Sequence, residues 1–331
     1  MSKKILILNT GGTLASVASE SGLLPGIRSE DIRSELSPIS RGIALDIEDF
    51  CSLDSANIQP SDWSALALRI DEARPDYDGV VIIHGTDTMA YTSSMLSFML
   101  QHIDIPVVLT GSQLNLTHPV ADALENCRLA FHMAVSGCAG VFVAFNRKVI
   151  LGCRASKVRS LSFDAFESIN YPLIATVSSL GLSVSREFLP IKKDIFTCRN
   201  NYSDRVLALK LYPGMKASLL TEAAREGIQG VYLEAFGLGG IPFLGEDLLS
   251  GVKELTDAGV AVLVGTQCLY EGSNLTVYET GCRALDAGVI EARDMTGEAA
   301  LTKLMWVLGQ TRVTAKVREY FNVSLCREVA V

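Results

Sequence analysis

The chain has 331 residues, 48% of them hydrophobic, and a formal net charge of −8. At about 150 residues per domain, that length suggests two domains with a sizeable core, and the acidic balance, without a basic run, excludes the electrostatic footprint of a nucleic-acid binder. No apolar run approaches the roughly 18 residues that cross a bilayer, so the expected ligands are small molecules.

The first apolar run, Ile5-Leu6-Ile7-Leu8, follows Lys3-Lys4 but gives way at once to Asn9-Thr10-Gly11-Gly12-Thr13. It is too short for a signal peptide and reads as the first buried strand of a cytoplasmic protein. Paired glycines let a backbone turn sharply, approach a ligand and offer amide N–H groups as oxyanion donors, with Thr13 projecting above the sheet. A plain tight turn ending in threonine explains the same letters. The GxGxxG and GK[ST] spacings of nucleotide sites are absent, so phosphate binding is a poor explanation. Residues 14–40, rich in Ser, Gly and Pro around Leu23-Leu24-Pro25-Gly26, read as a long mobile loop able to serve as a lid.

Phe50 to Asn57 follows an alternating strand-like pattern, with Asp54-Ser55 in the loop before a helix that opens at Pro60 and runs to about Ala73. Next comes the central stretch. The run Gly79-Val80-Val81-Ile82-Ile83 stops at His84-Gly85 and yields to Thr86, Asp87 and Thr88 before a helical pattern begins. A buried parallel strand that ends in small polar side chains places them where open α/β sheets bind ligands. An ordinary helix N-cap is the competing explanation.

The alternation continues with a helix over 91–102, a strand over 106–110, the turn Gly111-Ser112-Gln113, a helix over 119–135 and strands over 140–145 and 148–153. Lys157 follows; taken alone it is an ordinary solvated surface charge. The pattern predicts an α/β protein with a parallel sheet covered on both faces. Residues 185–205 lack a period, and the expected organisation is an N-terminal domain over 1–190, a linker over 191–205 and a C-terminal domain over 206–331. In the second domain, strands over 206–212, 230–236 and 260–265 alternate with helices over 217–226 and 244–258, and helices near 276–287, 296–310 and 312–321 follow. Gly237-Leu238-Gly239-Gly240 leaves a strand either as a ligand loop or as a flexible exit. The eight cysteines lack a CxxC pair and suit small buried side chains in a reducing compartment, and the four histidines form no HExxH pattern. No metal and no cofactor are expected.

Asn9 to Ala15, Asp54-Ser55 and His84-Gly85-Thr86-Asp87-Thr88-Met89 together resemble the signature blocks of the bacterial threonine-dependent L-asparaginases. Lys157, residues 152–166, Gly265-Thr266-Gln267-Cys268 and the stretch from Asp294 to Lys303 resemble the cytoplasmic type I branch. The resemblance covers essentially the whole chain. It implies two three-layer α/β domains with largely parallel sheets, the larger N-terminal and the smaller C-terminal one flavodoxin-like. It also implies a homodimer or homotetramer with sites at subunit contacts, a small amide substrate, and no nucleic-acid or membrane partner.

By that resemblance Thr13 is the nucleophile that forms an acyl-enzyme, and Thr86, Asp87 and Lys157 supply a second hydroxyl, a carboxylate and an ammonium. Asp87 would pair with the substrate α-ammonium, while Ser55 and the backbone near Asp54 would hold its α-carboxylate. Hydrolysing a side-chain amide needs these parts: a nucleophile, a stabilised oxyanion, a proton path to water and anchors for the charged ends. The family also carries a lid tyrosine that assists proton transfer. Its matching position here is Leu23, which can neither donate nor accept a proton, and the first tyrosine of the chain is Tyr77. An apolar lid would suit an amide with an apolar or bulkier substituent. Two alternatives from other classes are an amino-acid sensor without catalysis, against which Thr13, Thr86, Asp87 and Lys157 stand together, and a subunit of a tRNA-dependent amidotransferase. The latter needs an extra N-terminal domain and an RNA-binding surface, and neither is expected here.

Overall fold

A computed structural model describes residues 2–19, 22–25, 29–40, 42–191 and 194–330, apart from the side chains of residues 17–28 and 224. The chain forms two compact units, Met1–Asn200 and Asn201–Val331.

In the first unit, β1 (Lys4–Gly11) leads into the β2–β3 hairpin (Ser16–Ser19, Gly22–Pro25), α1 (Ser29–Leu36), β4 (Ala44–Leu53), α2 (Pro60–Ala73), β5 (Gly79–Ile83), α3 (Met89–Met99), β6 (Pro106–Thr110), α4 (Ala123–Ala134) and β7 (Gly140–Phe145). The short strands β8 (Lys148–Leu151), β9 (Ala155–Lys157), β10 (Phe166–Ser168), β11 (Ala175–Ser178) and β12 (Gly181–Val184) complete it. The main sheet runs β12-β11-β8-β7-β6-β5-β1-β4. Strands β5, β6 and β7 are buried along their whole length, as parallel strands covered by helices must be, and continuous Val/Ile/Leu runs supply that burial.

The sheet is parallel from β4 to β7, and at its far edge β8, β11 and β12 each pair antiparallel with their neighbours. The two-residue turn Asn146-Arg147, with φ of 46° and 63°, joins β7 to β8, and a turn that short returns the chain only as a hairpin. One expectation is corrected: residues 14–40 are not one irregular loop. A 3₁₀ turn (Thr13–Ala15), the β2–β3 hairpin and α1 occupy most of it. Ile32 and Leu36 lie one turn apart on α1 and both are fully buried, and Glu30 and Asp31 favour its first turn through the helix dipole. Leu23 pairs through its backbone with Ala18; its side chain lies outside the described residues, as does all of Gly26.

The second unit has a parallel sheet in sequence order, β13 (Val206–Lys210), β14 (Gly230–Ala235), β15 (Ala261–Thr266) and β16 (Ile290–Glu291). Helices α5 (Ser218–Arg225), α6 (Leu248–Asp257), α7 (Glu279–Asp286), α8 (Gly297–Gln310) and α9 (Thr314–Asn322) accompany it. Val231, Leu233, Val262 and Val264 from the sheet meet Leu220, Leu248, Val252 and Leu255 in one apolar core. The amides of Gly239 and Gly240 both donate to the Phe236 carbonyl, at 2.9 and 2.7 Å, so the Gly237–Gly240 segment closes as a tight strand exit. On α8, Lys303 Nζ donates to Glu328 Oε1 at 2.5 Å and to the Val323 carbonyl at 3.0 Å, with both side chains fully buried. The described residues contain no helix long and apolar enough to cross a membrane.

Candidate active site

Parallel pairing brings the carboxyl ends of β1, β4 and β5 to one edge, with Asn9 opposite both Asp49 and Ile83. Beyond that point the β1–β4 register shifts, Gly11 meets Leu53, and the Gly12 amide donates to the Leu53 carbonyl at 3.0 Å. Gly12 has φ of 76°, and a Cβ there would lie 2.4 Å from Gly85 Cα. A Cβ on Gly85 would in turn sit 2.6 Å from Ser55 Oγ. Both glycines are needed because three backbones close on one another, and the result is a cavity of about 240 Å³ lined by Gly12, Thr13, Asp54, Ser55, Thr86, Asp87 and Lys157 among others.

All six side chains singled out in the sequence therefore line one cavity. Thr13 opens the 3₁₀ turn, half-buried, and its carbonyl accepts from Ser16 Oγ at 2.7 Å. Thr86 is buried, and its Oγ1 accepts a hydrogen bond from Lys157 Nζ at 2.8 Å. The same ammonium donates to Asp87 Oδ1 at 2.5 Å. Strand β9, paired with β10 through Lys157 and Phe166, carries this lysine inward until its side chain is only 15% exposed, against 63% for Asp87. A solvated surface charge is thereby excluded for Lys157. Ser55 is buried at the cavity wall, whereas the Asp54 carboxylate is taken up locally, accepting from the Ala56 amide at 2.9 Å as the cap of the turn Ser55–Asn57.

The helix-cap explanation for Thr86-Asp87-Thr88 also fails. Helix α3 starts at Met89 with Thr88 as N-cap, yet no side-chain cap bond forms; Thr88 Oγ1 instead donates to the Ser55 carbonyl at 2.7 Å and ties the two polar loops together. The oxyanion expectation for the glycine pair is corrected as well. The Gly11 amide donates to Asn9 Oδ1 at 3.1 Å and the Gly12 amide to Leu53, so both donors are already spent on the turn.

Gln113, which the sequence presents only as a turn residue, joins the site. Its Oε1 lies 3.4 Å from Thr86 Oγ1, and its Nε2 donates to the carbonyls of Ser160 and Ser162 at 3.2 and 3.0 Å. It thereby fixes the loop just after Lys157, while Asp122 anchors the Gln113 amide at 3.1 Å. The available signal was its place after β6, the next parallel strand end in the row. Burial pushes the His84 imidazole down to about 4 from its ordinary value, outweighing its contact with the Gly85 carbonyl. Among the described residues no group of three His, Cys, Asp or Glu side chains gathers as a metal cage.

Residues 4–189 match the family described as Asparaginase, N-terminal, and residues 205–321 match the Glutaminase/Asparaginase C-terminal domain. The chain belongs to the asparaginase family. An L-asparaginase of Thermococcus kodakarensis is 45% identical over 98% of this chain and 99% of its own length, and the solved structure of the thermostable L-asparaginase from that organism superposes with a TM-score of 0.92, at 43% identity, over 99% of both chains. The solved L-asparaginase I from Vibrio cholerae gives a TM-score of 0.87 at 30% identity, over 100% of both chains. A subunit of the Glutamyl-tRNA(Gln) amidotransferase from Pyrococcus furiosus is 36% identical over 98% of this chain and 76% of that protein. As an asparaginase-family member the chain is an amidohydrolase with two α/β domains.

Proposed function

We propose that this enzyme releases ammonia from L-asparagine or a closely related small amide through an acyl-enzyme on Thr13, as a cytoplasmic, homodimeric or homotetrameric protein of the type I kind. The observation that carries this is the bridging of Thr86 Oγ1 and Asp87 Oδ1 by Lys157 Nζ inside the cavity that Thr13 also lines. Thr13 Oγ1 attacks the side-chain amide carbon, its proton passes to the Thr86–Lys157 pair and on to the departing ammonia, and a C–O ester replaces the C–N bond. Water then attacks that ester, delivers a proton to the same pair, and Thr13 leaves with its hydroxyl restored. In the resting site the hydrogen bond runs from Lys157 Nζ to Thr86 Oγ1. Asp87, the most open of the three, faces the substrate ammonium, and Ser55 faces the α-carboxylate.

The test is Thr13→Ala. Loss of a covalent nucleophile should lower ammonia release by roughly a thousandfold or more with the fold intact, and near-parental release would remove Thr13 from that role. A second reading, an amidase for a substituted side-chain amide, is favoured by Leu23 at the position matching the lid tyrosine. A panel of L-asparagine and side-chain-substituted amides, compared by kcat/KM, decides between the two.

A further inference from the structure

Behind the cavity a chain of buried polar side chains ends on the peptide between Gly85 and Thr86. Trp63 Nε1 on α2 donates to Thr92 Oγ1 on α3 at 2.9 Å, Thr92 Oγ1 lies 2.9 Å from His84 Nε2, and His84 Nδ1 lies 2.6 Å from the Gly85 carbonyl oxygen. Thr92 and His84 are wholly buried and Trp63 nearly so. An indole N–H only donates and a carbonyl only accepts, which fixes every proton between them. The Thr92 hydroxyl, receiving the Trp63 proton on one lone pair, turns its own proton to Nε2; Nδ1 must then carry the ring proton in order to bond Gly85. The row runs one way, from indole through hydroxyl and imidazole to carbonyl. An imidazolium would place a second donor against Thr92 and break it.

The end of that row is the Gly85–Thr86 peptide plane, whose carbonyl takes its hydrogen bond from His84. The His84 backbone amide is held by the Thr110 carbonyl at 2.8 Å, and packing against Gly12 and Ser55 crowds the Cα of the next residue, Gly85, while the His84 ring holds its carbonyl. Thr86 comes directly after it, with its Oγ1 2.8 Å from Lys157 Nζ. We propose that His84 is a positioning residue for the Thr86–Lys157 pair: as a neutral imidazole protonated on Nδ1 and braced by Thr92 and Trp63, it pins the Gly85 carbonyl and thereby the backbone that presents Thr86. This rests on the hydrolytic role given to Thr86 above.

Two measurements test it. The first is 15N-detected spectroscopy of histidine-labelled protein, which reads the tautomer directly and needs no turnover. His84 protonated on Nδ1 alone at pH 7 is expected; an Nε2–H tautomer or an imidazolium at pH 7 overturns the proposal. The second compares Thr92→Val, which removes the hydroxyl at nearly constant volume, with Thr92→Ser, which keeps it. Thr92→Val should lower kcat roughly threefold to tenfold, the worth of one misplaced hydrogen bond, with KM within about twofold. Thr92→Ser should retain most of the parental kcat. A Val variant with parental kcat, or a Ser variant as impaired as a folded Val variant, overturns the proposal. Where Thr92→Val does not fold, as circular dichroism would show, the parental tautomer and the Ser kinetics decide. A parent that releases no ammonia from any amide in the panel defeats the hydrolytic reading, while the tautomer still reports on the His84 row separately.

Discussion

Replacing Lys157 with methionine tests the proposed proton path. The side chain is 15% exposed and its ammonium contacts Thr86 Oγ1 at 2.8 Å and Asp87 Oδ1 at 2.5 Å, so methionine keeps the stem and its packing and deletes only the head group. Proton transfer by a positioned side chain is worth about 10²- to 10⁴-fold, equivalent to roughly 3 to 5 kcal/mol of transition-state stabilisation. Lys157→Met should lower kcat by that range. Substrate affinity should change by no more than about threefold, because Asp87 is 63% exposed and stays a hydrated carboxylate able to meet the substrate ammonium, and a group acting on proton transfer makes little ground-state contact. The assay is initial-rate ammonia release across a full saturation curve, with circular dichroism to show that the fold persists. A variant within tenfold of the parental kcat would refute the assignment. So would a loss expressed wholly in KM, which would make Lys157 a binding residue acting through Asp87.

Other outcomes follow from the same structure. Leu23→Tyr should raise the maximal rate on L-asparagine more than the affinity, since a proton-transfer group acts in the transition state; a gain confined to KM, or damage on L-asparagine alongside vigorous parental turnover, counts against the lid argument. In the second unit, burial pushes the Glu328 carboxyl up, but the Lys303 ammonium and the amides of Cys326 and Leu325 outweigh it and hold the carboxyl below its usual range. Glu328→Gln strands the Lys303 ammonium in the core and should cost about 3 to 5 kcal/mol, read as a lower urea midpoint, with Lys303→Met/Glu328→Leu recovering most of it; a single-variant loss near zero would show that the pair is not held as described. His84 has its folded value depressed from 6.5 to about 4, so the unfolded chain binds its proton first, and stability present above pH 6.5 should fall as pH drops towards 4, by on the order of 3 kcal/mol in all. Urea midpoints at pH 7 and pH 5 should separate the parent from His84→Gln, whose acid-side slope should be shallower; equal slopes would exclude His84 as the source.

What the letters alone determined is the part of the protein with short-range physical signatures. Val80 to Ile83, Val107 to Leu109 and Val141 to Phe145 read as buried strands because parallel strands covered on both faces have no polar side to show. The switch out of the runs Ile5 to Leu8 and Val80 to Ile83 into Gly, Thr and Asp marked the ends of β1 and β5, and these ends, with Asp54 and Ser55 after β4, hold Thr13, Thr86 and Asp87 at one cavity. Tertiary structure decided whatever depends on distant partners. Lys157 and Thr86 are 71 positions apart, and no local pattern distinguishes a lysine turned inward on β9 from one in solvent. Gln113 looked like a turn residue because its bonds to Ser160 and Ser162 close across 47 and 49 positions. The glycine pair promised open amides, but the β1–β4 register shift consumed them, and a register is set by a partner strand. The antiparallel edge hung on two left-handed residues, Asn146 and Arg147, in a turn whose hand a single sequence leaves open. Helix α1 was hidden in residues 14–40 because only Ile32 and Leu36 face inward, and two apolar residues declare a helix face only when a core is there to receive them.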